Sequence, residues 1–367
     1  MRLISVTSLQ PGMKLAKKIY NEEGLILLSE NAELTEGLIR RLKELGLNQV
    51  YIADRLTEDV EIPEMISEET RRRAMQEIRT NFRKVTELSV KGRVYPFLGK
   101  SFLKVVESIL TDLSSREDVM IMMMNINSTD HYLYRHSLNV CVYTLLLGKV
   151  HGYNNDALSV LGMGALLHDI GKTKIPASIL LKPDKLTDYE FDQMKQHTEI
   201  GFKMLKDEPG VPLVAAHCAL QHHERINGSG YPRGIRENEI HEYARWIAIA
   251  DSYDAMTTHR IYRSALLPHQ ATEMLYAGCG TLYEKEKLEV FRDHVAIYPL
   301  GITVGLSTGE QGVVVRINHE VPQRPVIRVF SGPEGEVLKV PYEVNLAVKL
   351  SVVITYVEGT EPELAYV

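Results

Sequence analysis

Cysteine is scarce: 3 in 367 residues. Cys141, Cys218 and Cys279 are odd in number, lie far apart and form no CxxC pair, which argues against a disulfide framework and a thiolate zinc site. Long apolar runs are missing as well. The densest stretch, around Tyr143 to Leu147, falls well short of the ~20 residues a membrane helix needs. The opening MRLISVTSLQ lacks a basic segment followed by an apolar one, so no secretory signal is expected. A strong charge of either sign is absent too. The net charge of −6 argues against a duplex nucleic-acid partner for the chain as a whole. No internal repeat or low-complexity tract is visible. A soluble cytoplasmic protein is the expectation, with no membrane contact. Apolar residues at 44% and charged residues at 25% are ordinary for globular chains, and the length suggests two or three structural units.

Histidine is distributed unevenly. None of the 13 precedes His131, and 8 fall between positions 131 and 223. Such crowding points to imidazole chemistry in one region.

The expected fold is mainly α, with a small N-terminal α+β unit and a small C-terminal β unit. Residues 1–60 read as the α+β unit. MRLISV and NQVYIA have strand character, Gly24 suits a hairpin turn, and Thr35 can cap a helix ended by Gly46. Residues 61–124 read as linker and connecting helices. From Thr57 to Thr70 the chain carries six acids and no base, and then Arg71 to Lys91 inverts the charge on a helical pattern. A single aromatic, Phe82, interleaves those bases, so a solvated connecting helix is the simpler reading than an anion-binding one. Residues 125–297 are helical in pattern, and the Met120–Met124 run ahead of them reads as core filler. Residues 298–367 turn to Gly-bounded β-branched runs, suggesting roughly four strands.

The chemistry-bearing residues fall in the helical region. They are His136, the pair His168-Asp169, His197, the pair His222-His223, and Asp251, with Lys172 and the turn NGSGYP (227–232) among them. Each taken singly has a bland reading as a buried or surface polar residue. Together they offer imidazole and carboxylate donors that suit iron, manganese or zinc. The set exceeds what one tetrahedral zinc uses, whereas two ions bridged by a carboxylate would use it fully. Asp169 is the natural bridge, because His168 can hold one ion while the two Asp169 oxygens span both.

The stretches HDIGK (168–172), His197 with its following GFKML, HHERINGSGYP (222–232) and DSYDAMTTHRIYR (251–263) resemble HD-GYP domains, the cyclic di-GMP phosphodiesterase branch of the HD phosphohydrolases. The resemblance implies an all-helical catalytic domain and a site of two or three divalent ions, iron or manganese. It implies hydrolysis of cyclic di-GMP to linear pGpG in second-messenger signalling. The family's metal ligands fall on His136, His168, Asp169, His197, His222, His223 and Asp251. Its catalytic positions fall on Asp169 and Lys172, and its substrate contacts on Lys172, Arg260 and Arg263, with Tyr231 shaping the rim. Members with a third ion carry an acid one turn before the first histidine. Tyr132 stands there instead, which implies two ions, with GMP formed slowly or not at all. The family's DGxGYP is NGSGYP here, and Asn227 retains turn propensity.

Three readings stay open at this point: a cyclic di-GMP phosphodiesterase, a phosphohydrolase of another cyclic dinucleotide, and a catalytically weak signalling module. Protein partners could dock on the GYP loop, and the chain could form a homodimer.

Overall fold

In a computed structural model the protein is described at residues 1–20, 26–45, 47, 49–88, 98–114, 132–258 and 265–358. The chain opens with β1 (Arg2–Ser5), β2 (Ile19–Tyr20), β3 (Ile26–Leu28), α1 (Glu36–Glu44) and β4 (Gln49–Ile52). β1 pairs antiparallel with β4, Leu3 opposite Tyr51, and β2 pairs antiparallel with β3. Thr35 caps α1 by accepting a hydrogen bond from Leu38 N, as its position predicts. Gly24 and Gly46 lie outside the described residues, as do Met120–Met124.

The helical body comprises α2 (Glu68–Leu88), α3 (Leu98–Ser114), α4 (Tyr132–His151), α5 (Asn155–Leu167), α6 (Ala177–Leu180), α7 (Asp188–Lys195), α8 (His197–Leu205), α9 (Leu213–Gln221), α10 (Glu242–Thr257), α11 (Pro268–Ala277) and α12 (Lys285–Asp293). Helices α4, α5, α9 and α10 pack against one another and are buried around most of their circumference. That matches their lack of a polar stripe. α2 is more than a solvated connector. Its Ala74, Ile78, Phe82 and Val85 enter the same core at helical spacing. Lys174, just past the HDIGK turn, donates to the Val85 carbonyl near the end of α2 at 2.7 Å. Among the described residues no helix is long and apolar enough to cross a membrane.

The C-terminal sheet has five strands: β5 (Thr303–Leu306), β6 (Gln311–Arg316), β7 (Val326–Ser331), β8 (Val337–Asn345) and β9 (Ile354–Val357). All pairs are antiparallel, in the order β8-β7-β6-β5-β9. The pattern-based expectation of about four strands misses β8. This edge strand is mostly solvent-facing and contains Lys339, Pro341 and Glu343, so it lacks a buried alternation to read.

The sheet shares an apolar core with the N-terminal unit. Leu3, Ala16, Tyr51 and Val60 pack with Ile302, Val304, Ile327 and Val329. Leu3 N donates to Gly301 O at 2.8 Å. The acidic segment before α2 is used at this junction. Asp59 receives a two-pronged Arg328 contact at 2.6 and 2.7 Å, and Glu64 pairs with Arg71 at 3.1 Å.

Candidate metal centre

Five separate segments deliver the candidate ligands to one point. His136 comes from α4, and His168 and Asp169 from the turn that ends α5. His197 is the first residue of α8, His222 and His223 follow α9, and Asp251 lies in α10. The donor atoms of Asp169, His197, His222 and His223 lie within 4.8 Å of one another, and those of His136, His168 and Asp251 form a second such group. His136, His168, Asp169, His197 and His222 are fully buried.

Backbone geometry sets the tautomers. Nδ1 of His168 donates to Ala165 O at 2.7 Å, and Nδ1 of His197 donates to Met194 O at 2.7 Å. Nδ1 of His222 donates to the Ala219 carbonyl at 3.0 Å and to the Cys218 carbonyl at 3.1 Å. A carbonyl can only accept, so each Nδ1 carries the hydrogen and each Nε2 presents a lone pair. The Nε2 atoms of His197 and His222 then face each other at 3.3 Å with no hydrogen between them. His168 Nε2 and Asp169 Oδ1 are buried with no hydrogen-bond partner among the described residues. Converging lone pairs and carboxylate oxygens repel one another unless a cation lies among them. The donor set fits divalent metal, with nitrogen and oxygen ligands and no thiolate.

Asp169 stands between the two groups. Its Oδ1 is 3.3 Å from His197 Nε2 and 3.6 Å from His222 Nε2, while Oδ2 is 3.3 Å from His168 Nε2 and 3.5 Å from His136 Nε2. Burial alone would raise its pKa, but the Lys172 ammonium holds the carboxyl well below the usual range. Lys172 Nζ donates to Asp169 Oδ2 at 2.6 Å. Burial, reinforced by Lys172, pushes His197 down to about 3, so its imidazole is neutral. His136 is different: burial opposes its charge, but hydrogen bonds to Asp251 and Asp254 outweigh that and raise it to about 8.

Asp254 is a functional candidate that motif reading passed over. It is 1% exposed, and its Oδ2 accepts from His136 Nδ1 at 2.7 Å while Oδ1 accepts from Asn139 Nδ2 at 2.7 Å. It therefore orients a candidate ligand from behind. Its spacing of three from Asp251 on one helix was the available signal.

Two glycines set the local backbone. A Cβ on Gly171 would overlap the His197 carbonyl oxygen and lie 2.7 Å from Gly201 N, so the HDIGK turn can approach α8 only as glycine. A Cβ on Gly230 would lie 2.5 Å from both His223 O and Glu224 Cα. The GYP loop is also held by Glu224, whose Oε1 accepts from Arg233 N at 2.8 Å, and by Asn227, whose Oδ1 accepts from Ser229 N at 2.9 Å. Tyr231 stacks on His223 with centroids 4.6 Å apart, which places it in the wall beside the cluster. The backbone of Tyr132 begins α4, but its side chain lies outside the described residues, as do Arg260 and Arg263.

A helical bundle with a His/Asp cluster split into two donor groups is the arrangement expected of an HD domain. Residues 120–286 match the family model described as HD domain, and residues 303–361 match a KOW domain associated with HD domain. Cyclic di-GMP phosphodiesterase PA4108 of Pseudomonas aeruginosa is 32% identical over 233 residues, covering 64% of this chain and 56% of that protein. The 3'3'-cGAMP-specific phosphodiesterase 2 of Vibrio cholerae is 34% identical over 160 residues, 43% of this chain and 31% of that protein. The chain thus spans about half, or less, of the length of these curated relatives. Among solved structures, Bd1817, an HDG"Y"P protein from Bdellovibrio bacteriovorus, shares the fold. Its TM-score is 0.51 at 19% identity, covering 79% of this chain and 98% of that one. Residues 120–286 are thus similar to HD domains, and their HDIGK and GYP motifs resemble the HD-GYP branch.

Proposed function

We propose that the chain is a metal-dependent phosphodiesterase that opens cyclic di-GMP to linear pGpG, with GMP formed slowly or not at all. The observation that carries this reading is the division of Asp169, one oxygen toward His197 and His222 and the other toward His136 and His168. In this reading His197, His222 and His223 would hold one divalent ion, iron or manganese, and His136, His168 and Asp251 a second, with Asp169 contributing to both. When bound, such ions supply Lewis acidity and a water-derived nucleophile at neutral pH.

The chain's own groups do the rest. Lys172, already beside Asp169, donates to a phosphate oxygen and offsets charge that grows as the P–O3′ bond breaks. Arg260 and Arg263 are proposed as further phosphate contacts. Tyr231 walls the substrate against His223. Water adds across one phosphodiester, leaving a 5′-phosphate and a free 3′-hydroxyl, which is pGpG.

The test is metal analysis of anaerobically purified protein together with product identification from cyclic di-GMP and 3'3'-cGAMP in parallel. Two ions per chain and accumulating pGpG are expected. The similarity to a cGAMP-specific relative makes the second substrate a real competitor, and faster cGAMP turnover would replace the substrate assignment. A fully loaded protein that hydrolyses neither would instead be a signalling module.

A further inference from the structure

We propose that Phe191 is a stacking platform for one base of the substrate, an inference that rests on the cyclic dinucleotide reading above. α7 presents Phe191 at 46% exposure, two ring contacts out from the candidate centre. The helix that carries it is well anchored. Thr187 and Glu190 form a reciprocal capping box at its start, and Lys182 Nζ donates to Glu190 Oε2 at 2.6 Å.

Phe191 ends a series of rings leading outward from the cluster. Tyr231 stacks on His223 at 4.6 Å, and Phe191 meets Tyr231 edge-on at 6.1 Å and 81°. Tyr231 has a face committed to His223, whereas Phe191 retains open area. Lys195 Nζ lies over one face of the Phe191 ring, 5.1 Å from its centroid, and is paired with Asp192 at 2.6 Å, so a base would stack on the opposite face. In a nucleotide the base stands one sugar away from the phosphate. A platform one ring beyond Tyr231 is therefore offset from the metal ligands in the sense a bound nucleotide requires. Every base offers a π-face, so the platform serves guanine and adenine alike and contributes affinity rather than base identity.

The experiment compares KM and kcat for cyclic di-GMP in wild type, Phe191→Ala, Phe191→Leu and Phe191→Trp, with metal content and Tm measured for each. Phe191→Ala and Phe191→Leu should raise KM roughly 5- to 150-fold with metal content retained, the range expected for one lost base stack. Phe191→Trp should restore it. Bis(p-nitrophenyl) phosphate carries no sugar or nucleobase, so its turnover reports the centre without the base contact. The ratio of cyclic di-GMP to bis(p-nitrophenyl) phosphate turnover should therefore fall in the first two variants. Tyr189→Ala removes the more exposed aromatic of the same helix, at 72%, and should leave KM unchanged. A wild-type KM in Phe191→Ala, or an equal rise in Tyr189→Ala, overturns the platform while leaving the phosphodiesterase reading intact. Failure of the wild-type protein to hydrolyse any cyclic dinucleotide overturns both.

Discussion

Replacing Asp254 by asparagine should weaken one of the two proposed ion sites while leaving the helical body folded. Asp254 accepts two buried hydrogen bonds at 2.7 Å, from His136 Nδ1 and Asn139 Nδ2. Asparagine has nearly the same shape but only one acceptor oxygen, and its amide group would face one of those donors. One buried donor then loses its partner, at about 1–3 kcal/mol. If the abandoned donor is His136, the ring is free to rotate and Nε2 is no longer aimed at the centre. Loss of such an orienting group typically lowers metal affinity about 10- to 100-fold. Asp254→Ala removes both acceptors and should be the less stable of the two. Chelator competition measures the affinities, and Tm separates a loosened site from a damaged fold. Asp254→Asn with wild-type affinity for both ions would refute the reasoning, since His136 would then need no support from behind.

Gly171→Ala should cost roughly 1–3 kcal/mol in urea unfolding and lower metal content, because the added methyl meets the α8 backbone where His197 begins; normal stability would mean the turn can retreat without cost. Tyr132→Glu should raise the ion count per chain and speed GMP formation from pGpG, as a carboxylate four residues before His136 shares its helical face; a third ion in the wild type would show that another residue supplies that ligand. The Asp59–Arg328 contact predicts a pH effect of definite sign. Asp59 is lowered from 3.8 to about 2, chiefly by its hydrogen bonds from Arg328, so the pair stabilises the fold above pH 3.8 and loses that contribution as pH falls through about 2. The Asp59 side chain is 64% exposed, so the effect is below about 1 kcal/mol. The Tm gap between wild type and Asp59→Asn should be full at pH 6 and narrower at pH 2.5, and a gap that widens on acidification would contradict it.

The candidate metal ligands were readable because their chemistry is local. A histidine followed by an aspartate and then a glycine at the end of an apolar helix is already a turn with two donors. Seven such donors within one helical stretch leave few other uses for them. What orients them was harder to see. His168, His197 and His222 are fixed by backbone carbonyls, which carry no side-chain signature, and only the helix ends at Leu167 and Gln221 hint that such carbonyls are free. Asp254 was legible in principle. An acid three residues from another acid more often marks a solvated helix face, and only the position of α4 shows that this face is buried.

The fold was legible wherever an element buries one face on its own, and obscure where its partner is remote in sequence. α5 and α10 announce themselves through continuous apolar content, and α1 through its cap and spacing. The acidic stretch at 57–70 reads as a linker or domain edge because it carries no base of its own. Its Asp59 is met by Arg328, 269 residues later, on a strand whose inward residues Ile327 and Val329 also cover Leu3 and Tyr51. Charge and apolar patterns on both partners are therefore halves of one interface, and neither half is interpretable alone. Closing a loop of that length costs only a few kcal/mol more than closing a short one, because the cost rises with the logarithm of length. A shared core between the first and last units is thus physically inexpensive even though no window of the sequence displays it.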